Sequence, residues 1–141
     1  MKNSLVVGDA DAIIAQANSE DLNHNEAVKI AQKLVDEQVN VIYPATAVVE
    51  AVTHIQRALN SGVTAYGTAE LMINPAVQVV EVNKQTLTNA QKYFSPNTSK
   101  KNTLFDCIVA AVAEEYKADA IFSFDKFYQK RGFKLVSELQ K

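Results

Sequence analysis

Hydrophobic and polar positions along the chain alternate between two patterns, one of strands and one of helices. The run Leu5-Val6-Val7 is apolar at successive positions and stops at Gly8 and two aspartates, Asp9 and Asp11. A strand that is apolar on both faces belongs in a parallel sheet covered by helices. Asn23 to Glu26 resembles a capping box, and Ala27, Ile30, Ala31 and Leu34 follow at helical spacing, which predicts a helix over 23–37. Val39 to Tyr43 reads as a second strand. Pro44 then stands where a first helical turn tolerates it, and Val48, Val52, Ile55 and Leu59 predict a helix over 45–60. A further helix is expected over 64–73, a β-branched strand over 77–82 and a helix opening near Asn83. The only stretch rich in Pro, Ser and Asn, Ser95 to Ser99, has loop length. Beyond it come an apolar helix over 103–117, a strand over 120–124 and, after the Gly132 turn, a fifth strand over 133–136.

Strands alternating with helices imply right-handed crossovers and a parallel sheet, so the fold class is α/β. The 141 residues fill one domain, 1–141, and leave no room for a second core. In such sheets a ligand site lies beyond the carboxyl ends of the strands, where strand order reverses. That rule selects Asp9 and Asp11 after the first strand and Asp125 after the fourth, and it places Asp119, which precedes the fourth strand, at the opposite edge. Glu81, at the end of the third strand, is a weaker candidate. Aspartates also cap helices and close turns, and for any one of these residues alone that role prevails. Asp106 differs, because Leu104 to Ala113 is otherwise apolar nearly all round and should be buried. It is either an anion at a helix N-terminus or a carboxylate that faces a metal or another cation. Periodicity places Glu50 on the same helical face as His54 and Arg57, where solvent exposure is the default.

Other chemistries find no support. His24 and His54 have no cysteine or second histidine at ligand spacing, so a zinc site is not expected and both read as surface or capping residues. Gly8, Gly62, Gly67 and Gly132 are isolated, which excludes a glycine-rich phosphate loop, and no Gly-x-Ser-x-Gly elbow occurs. Cys107, the single cysteine, reads as a small core residue. No apolar stretch approaches the ~20 residues that span a bilayer, and no leader pattern opens the chain, so no membrane association and a cytoplasmic location are expected. Net charge is −2 with a pI of about 5.7, which gives no overall basic field. The distribution is uneven, −4 over residues 1–99 and +2 over 100–141. Lys100, Lys101, Lys126, Lys130, Arg131 and Lys134 could contact a phosphate backbone, although a solvated face would have the same composition.

Four short motifs, in order and on these elements, resemble the PIN-domain family, which includes the VapC toxins of toxin–antitoxin pairs. They are Val6-Val7-Gly8-Asp9-Ala10-Asp11-Ala12-Ile13-Ile14, then Glu50 in Pro44 to Glu50, then Asp106 in Asp106 to Ala113, and finally Ser123-Phe124-Asp125-Lys126-Phe127 with Gly132. Leu22 to Ala27 also looks like the family's His-containing start to its second helix. The resemblance covers nearly the whole chain. It implies a PIN-like three-layer sandwich whose central five-stranded parallel sheet, order 3-2-1-4-5, carries helices on both faces. Asp9, Glu50, Asp106 and Asp125 would meet as catalytic residues at its carboxyl edge, and Asp9, Asp106 and Asp125 would hold the metal.

Carboxylates so close together cannot all remain ionised without a cation, and oxygen-only ligands suit magnesium or manganese. The implied activity is that of a metal-dependent endoribonuclease that leaves a 5′-phosphate and a 3′-hydroxyl. Implied partners are an RNA substrate, a second copy of the chain in a homodimer and, for a toxin, a cognate antitoxin. Ser123 would support the carboxylates by hydrogen bonding. Ala10 and Asp11 depart from the family's usual hydroxyl or Asn residues, and Asp11 either assists a second metal or faces the water shell of the first. The rivals are an inactive PIN fold kept as a protein- or RNA-binding module, a phospho-acceptor domain, which lacks its aspartate at the third strand, and a metal-dependent phosphatase. Neither the RNA target nor the substrate-binding residues are marked in the sequence.

Overall fold

The computed structural model describes residues 4–140. Its order is β1 (Leu5–Gly8), α1 (Ala10–Ala17), α2 (His24–Asp36), β2 (Asn40–Pro44), α3 (Ala45–Arg57), α4 (Gly62–Met72), β3 (Gln78–Val80), α5 (Lys84–Ala90), α6 (Leu104–Glu115) and β4 (Ala120–Phe122), with short 3-10 turns late in the chain. The four strands form one parallel sheet in the order β3-β2-β1-β4. Val6 pairs with Val41 on one side and Ala120 on the other. No described helix is long and apolar enough to cross a membrane.

Successive side chains of a strand point to opposite faces, and the two faces carry different cores. Val6, Ala120 and Phe122 pack with Ala12 and Ala15 of α1 and Ala27, Ile30 and Leu34 of α2. Val7, Ile42 and Ile121 pack with α6, from Cys107 to Ala113, and with Ala90 of α5. Cys107 is buried there as a core residue. A third cluster, Ala10, Ile13, Ala51 and Met72, joins α1, α3 and α4. The sheet is thus covered on both sides, as strands apolar on both faces require.

One expectation needs correction, and one helix has no expectation to answer to. The fifth strand is reduced to a single parallel bridge between Ile121 and Leu135. Ile121 N–H donates to the Lys134 carbonyl at 2.8 Å, but the Glu138 carboxylate takes the Leu135 N–H at 2.8 Å and the chain winds into a 3-10 turn from Val136. The sheet therefore has four strands. Conversely, α1 has no counterpart in the hydrophobic pattern. It starts because Asp9 accepts the Ala10 N–H, and it buries Ala10, Ala12, Ile13 and Ala15. Gly8 closes β1 where no side chain fits, since a Cβ there would collide with the Tyr43 ring. Gly132 supplies the left-handed turn, φ 90°, that brings the chain back beside β4.

Candidate metal centre

Chain direction decides which acids meet. β1, β2 and β4 are parallel, so the residues just past each of them emerge at one edge: Asp9 and Asp11 after β1, Glu50 within α3, Ser123 and Asp125 after β4. Asp9 N–H still belongs to the ladder and donates to the Phe122 carbonyl at 3.0 Å. Asp119 stands at the other edge, where its carboxylate accepts the Leu5 N–H at 2.9 Å. Glu81, just beyond β3, is exposed and outside the cluster.

Asp9 is only 3% exposed and Asp106 8%. Oδ1 of Asp9 accepts the Ala10 N–H at 2.7 Å, and its Oδ2 receives Tyr128 Oη at 2.7 Å and Ser123 Oγ at 3.2 Å. Ser123 Oγ also lies 2.9 Å from Asp11 Oδ2, which accepts the Phe124 N–H at 2.8 Å. Tyr128 Oη lies 3.4 Å from Asp106 Oδ1, and Asp106 Oδ2 accepts the Thr103 N–H at 2.9 Å at the start of α6. Each hydroxyl has one hydrogen to give. Two hydroxyl protons therefore serve four carboxylate contacts, too few for a fully ionised set.

The electrostatics reflect this shortage. Burial, then the neighbouring Asp11, holds Asp9 well above the ordinary carboxyl range, with Asp106 adding to the effect. Burial raises Asp11 to about 6 against its hydrogen bonds from Phe124 and Ser123, with Asp125 adding to the rise. Glu50 is pushed to about 7, by burial first and then by Asp106 and Asp11. Asp106 is raised by burial and by Asp125, opposed by the Thr103 N–H. Five carboxylates thus act on one another at a single edge, with Glu50 coupled to Asp106 and Asp11 by charge and not by a hydrogen bond.

Two carboxylate oxygens in this group, Asp11 Oδ1 and Glu50 Oε1, are buried without a hydrogen-bond partner, as is Thr46 Oγ1 one turn before Glu50. Orphaned acceptors beside mutually repelling acids are what a hard cation satisfies. Among the described residues, however, no three His, Cys, Asp or Glu side chains are already placed to ring one ion. Both oxygens of Asp125 are held within the protein: Oδ1 accepts the Phe127 N–H at 2.9 Å and Oδ2 the Asn102 amide at 2.7 Å.

Three residues of the site escape a reading of the sequence. Thr46 is visible in principle, since it stands four residues before Glu50 and so on the same helical face. Tyr128 and Asn102 carry no such signal, because their contacts with Asp9 and Asp125 span 119 and 23 residues. His24 is a connector: its Nδ1 donates to the Ala15 carbonyl at 2.7 Å and ties the start of α2 to α1.

A profile of the PIN domain matches residues 6–134. Among solved structures, Mycobacterium tuberculosis VapC20, described as a sarcin-ricin loop cleaving toxin, superimposes with a TM-score of 0.77 at 18% sequence identity, covering 91% of this chain and 95% of that one. At that identity the likeness speaks to the fold. No curated protein matches the sequence.

Proposed function

The chain belongs to the PIN domain family, and from that premise we propose that it is a magnesium- or manganese-dependent endoribonuclease built on one domain, residues 1–141. The observation that carries the proposal is the convergence of Asp9, Asp11, Glu50, Asp106 and Asp125 at one sheet edge, with two buried carboxylate oxygens left unpartnered. Asp9, Asp106 and Asp125 are the ligands we assign to the ion, and the free oxygens of Asp11 and Glu50 add two further donors. An all-oxygen set of this charge fits magnesium or manganese and not zinc. When bound, such an ion activates water and offsets the charge that builds on a phosphate under attack.

The protein supplies the remainder. Glu50, raised to about 7 in the metal-free site by burial and by Asp106 and Asp11, is the residue we assign to take a proton from an attacking water. Ser123 and Tyr128 hold Asp9 through hydroxyl donors, and Asn102 and the Phe127 N–H fix the direction of Asp125. We assign the toxin role of a toxin–antitoxin pair, with a cognate antitoxin and a homodimeric state, on the family resemblance.

The test is cleavage of an end-labelled single-stranded RNA by purified protein. Magnesium or manganese should support cleavage to 5′-phosphate ends and EDTA should abolish it. Cleavage undiminished in EDTA, or none with either ion, refutes the enzyme. The hydrogen bonds that already hold both oxygens of Asp125 favour a second reading, a PIN fold retained for binding. That reading gains ground if RNA is bound but never cut. Sedimentation at micromolar concentration checks the dimer, and co-purification with the product of an adjacent reading frame checks the antitoxin.

A further inference from the structure

An acidic site in a chain of net charge −2 repels the polyanion it is assigned to cut unless local cations offset that repulsion. Among the described residues, one such group of cations lines a cleft. A cleft of about 630 Å³ lies between the 98–102 loop and the segment from Phe124 to Arg131, and Lys101, Lys126, Lys130 and Arg131 line it together with a single acid, Asp125. Among the described residues, none of those three lysines forms an ion pair, and all three are exposed. Arg131 is held in place, its guanidinium 3.6 Å from the centre of the Phe127 ring and donating to the Phe127 carbonyl at 3.1 Å. Four cations, three of them unpaired and one preset, thus stand around the acid that also belongs to the carboxylate cluster.

The cleft continues. A second cavity of about 470 Å³ shares Thr98, Ser99 and Asn102 with the first and adds Lys100, Leu104 and Phe94. Phe94 is 39% exposed. Cations that track a backbone beside an exposed aromatic ring are the pattern of single-strand recognition, in which phosphates meet lysines and an unstacked base lies on the ring.

We infer that this two-part groove is the substrate-binding site for single-stranded RNA: Lys101, Lys126, Lys130 and Arg131 take consecutive phosphates leading away from Asp125, and Phe94 stacks a base beyond them. The inference rests on the ribonuclease reading for its choice of ligand, but the groove's position depends only on these residues. It gives the basic C-terminal third of the chain a specific role.

Binding of a fluorescein-labelled 12-nucleotide single-stranded RNA, measured by anisotropy in EDTA over a range of KCl concentrations, tests the site with no cleavage to confuse it. Lys126→Ala with Lys130→Ala should weaken binding roughly tenfold and lower the slope of log K against log[KCl] by about 1.4, two contacts at ~0.7 each. Phe94→Ala should weaken binding with no change of slope. Lys29→Ala with Lys134→Ala removes two exposed lysines from α2 and from the stretch that lines a cavity with Asp119; this control should bind as wild type does. Failure of wild type to bind, wild-type affinity in the Lys126 and Lys130 variant, or equal loss in the control overturns the inference. The nuclease reading fails separately. Binding through the groove without metal-dependent cleavage refutes the enzyme and leaves the groove, whereas cleavage with a KM indifferent to these lysines refutes the groove and leaves the enzyme.

Discussion

Replacing Asp11 by Asn should make the metal-free protein more stable, and the structure sets both the size and the pH range of the effect. The amide carbonyl can take the place of Oδ2, which receives the Ser123 hydroxyl at 2.9 Å and the Phe124 N–H at 2.8 Å. The NH₂ group then occupies the position of Oδ1, which has no partner. Moving a carboxyl from its ordinary 3.8 to about 6 costs the folded protein about 3 kcal/mol once the pH exceeds 6. A buried, unpartnered NH₂ returns about 1–2 kcal/mol of that as desolvation. A net gain of about 1–2 kcal/mol remains. Below about pH 3 Asp11 holds its proton in both folded and unfolded chains, so the wild type suffers almost no penalty. As pH rises from about 4 to about 6 the unfolded chain loses that proton while the folded chain retains it, and wild-type stability falls relative to the variant. Urea denaturation in EDTA at pH 4 and pH 8 measures the difference. The variant should exceed the wild type by about 1–2 kcal/mol at pH 8 and fall about 1 kcal/mol below it at pH 4, where the ionisation penalty is only about 0.5 kcal/mol. A variant less stable than wild type at pH 8, or one with the same increment at both pH values, would refute the argument that Asp11 is a repelled carboxylate.

The other predictions use the same cluster and one turn. Glu50→Gln should raise the metal-free melting temperature at pH 8, because a neutral group replaces a carboxyl pushed to about 7, and should cut RNA cleavage roughly 100-fold or more; a fully active variant would remove Glu50 from the mechanism. Tyr128→Phe deletes a fully buried hydroxyl that donates to Asp9 at 2.7 Å and should cost about 1–2 kcal/mol in a urea titration. An unchanged midpoint would mean that the hydroxyl does not support Asp9. Gly8→Ala should destabilise by about 1–3 kcal/mol, since the added methyl meets the Tyr43 ring; a neutral effect in the melt would show that the ring moves aside freely.

Most of the elements can be read from the sequence because they rest on local patterns. β1 and β4 are unbroken apolar runs, and the helices at 24–36, 45–57 and 104–115 repeat apolar residues at helical spacing. α1 is hidden because its cap and first turn are Asp9-Ala10-Asp11, a stretch that reads as turn chemistry, and its start depends on a cap the sequence offers equally to a loop. The fifth strand fails for the opposite reason. Phe133 to Val136 has a strand's composition, but the acceptor of the Leu135 N–H is a side chain three residues on, and strand composition carries no information about that competitor. Asp9 and Asp125 emerge from strand direction alone. Glu50 does not, since its helical face also holds His54, which is exposed; α6 packs against α3, and the burial that results needs the tertiary structure.

Asp106 shows how two local explanations of one residue can both hold. The sequence leaves it as either a helix-terminus anion or a carboxylate facing a charged site, and the structure divides these between its two oxygens. Oδ2 accepts the Thr103 N–H at 2.9 Å and so stabilises the first turn of α6, while Oδ1 lies 3.4 Å from the Tyr128 hydroxyl in the acidic cluster. An asparagine at this position keeps one acceptor for the Thr103 N–H, and its NH₂ can donate to the Tyr128 oxygen, whose one hydrogen serves Asp9 at 2.7 Å. It loses the negative charge that the first turn of α6 favours, about 0.3–1 kcal/mol. The same substitution also removes a charge that raises both Asp9 and Glu50, which acts in the stabilising direction. The two effects oppose each other at Asp106, so its stability change is a poor measure of the repulsion in the cluster. At Asp11 the oxygen to be replaced has no partner to lose, and it is there that stability reports the repulsion directly.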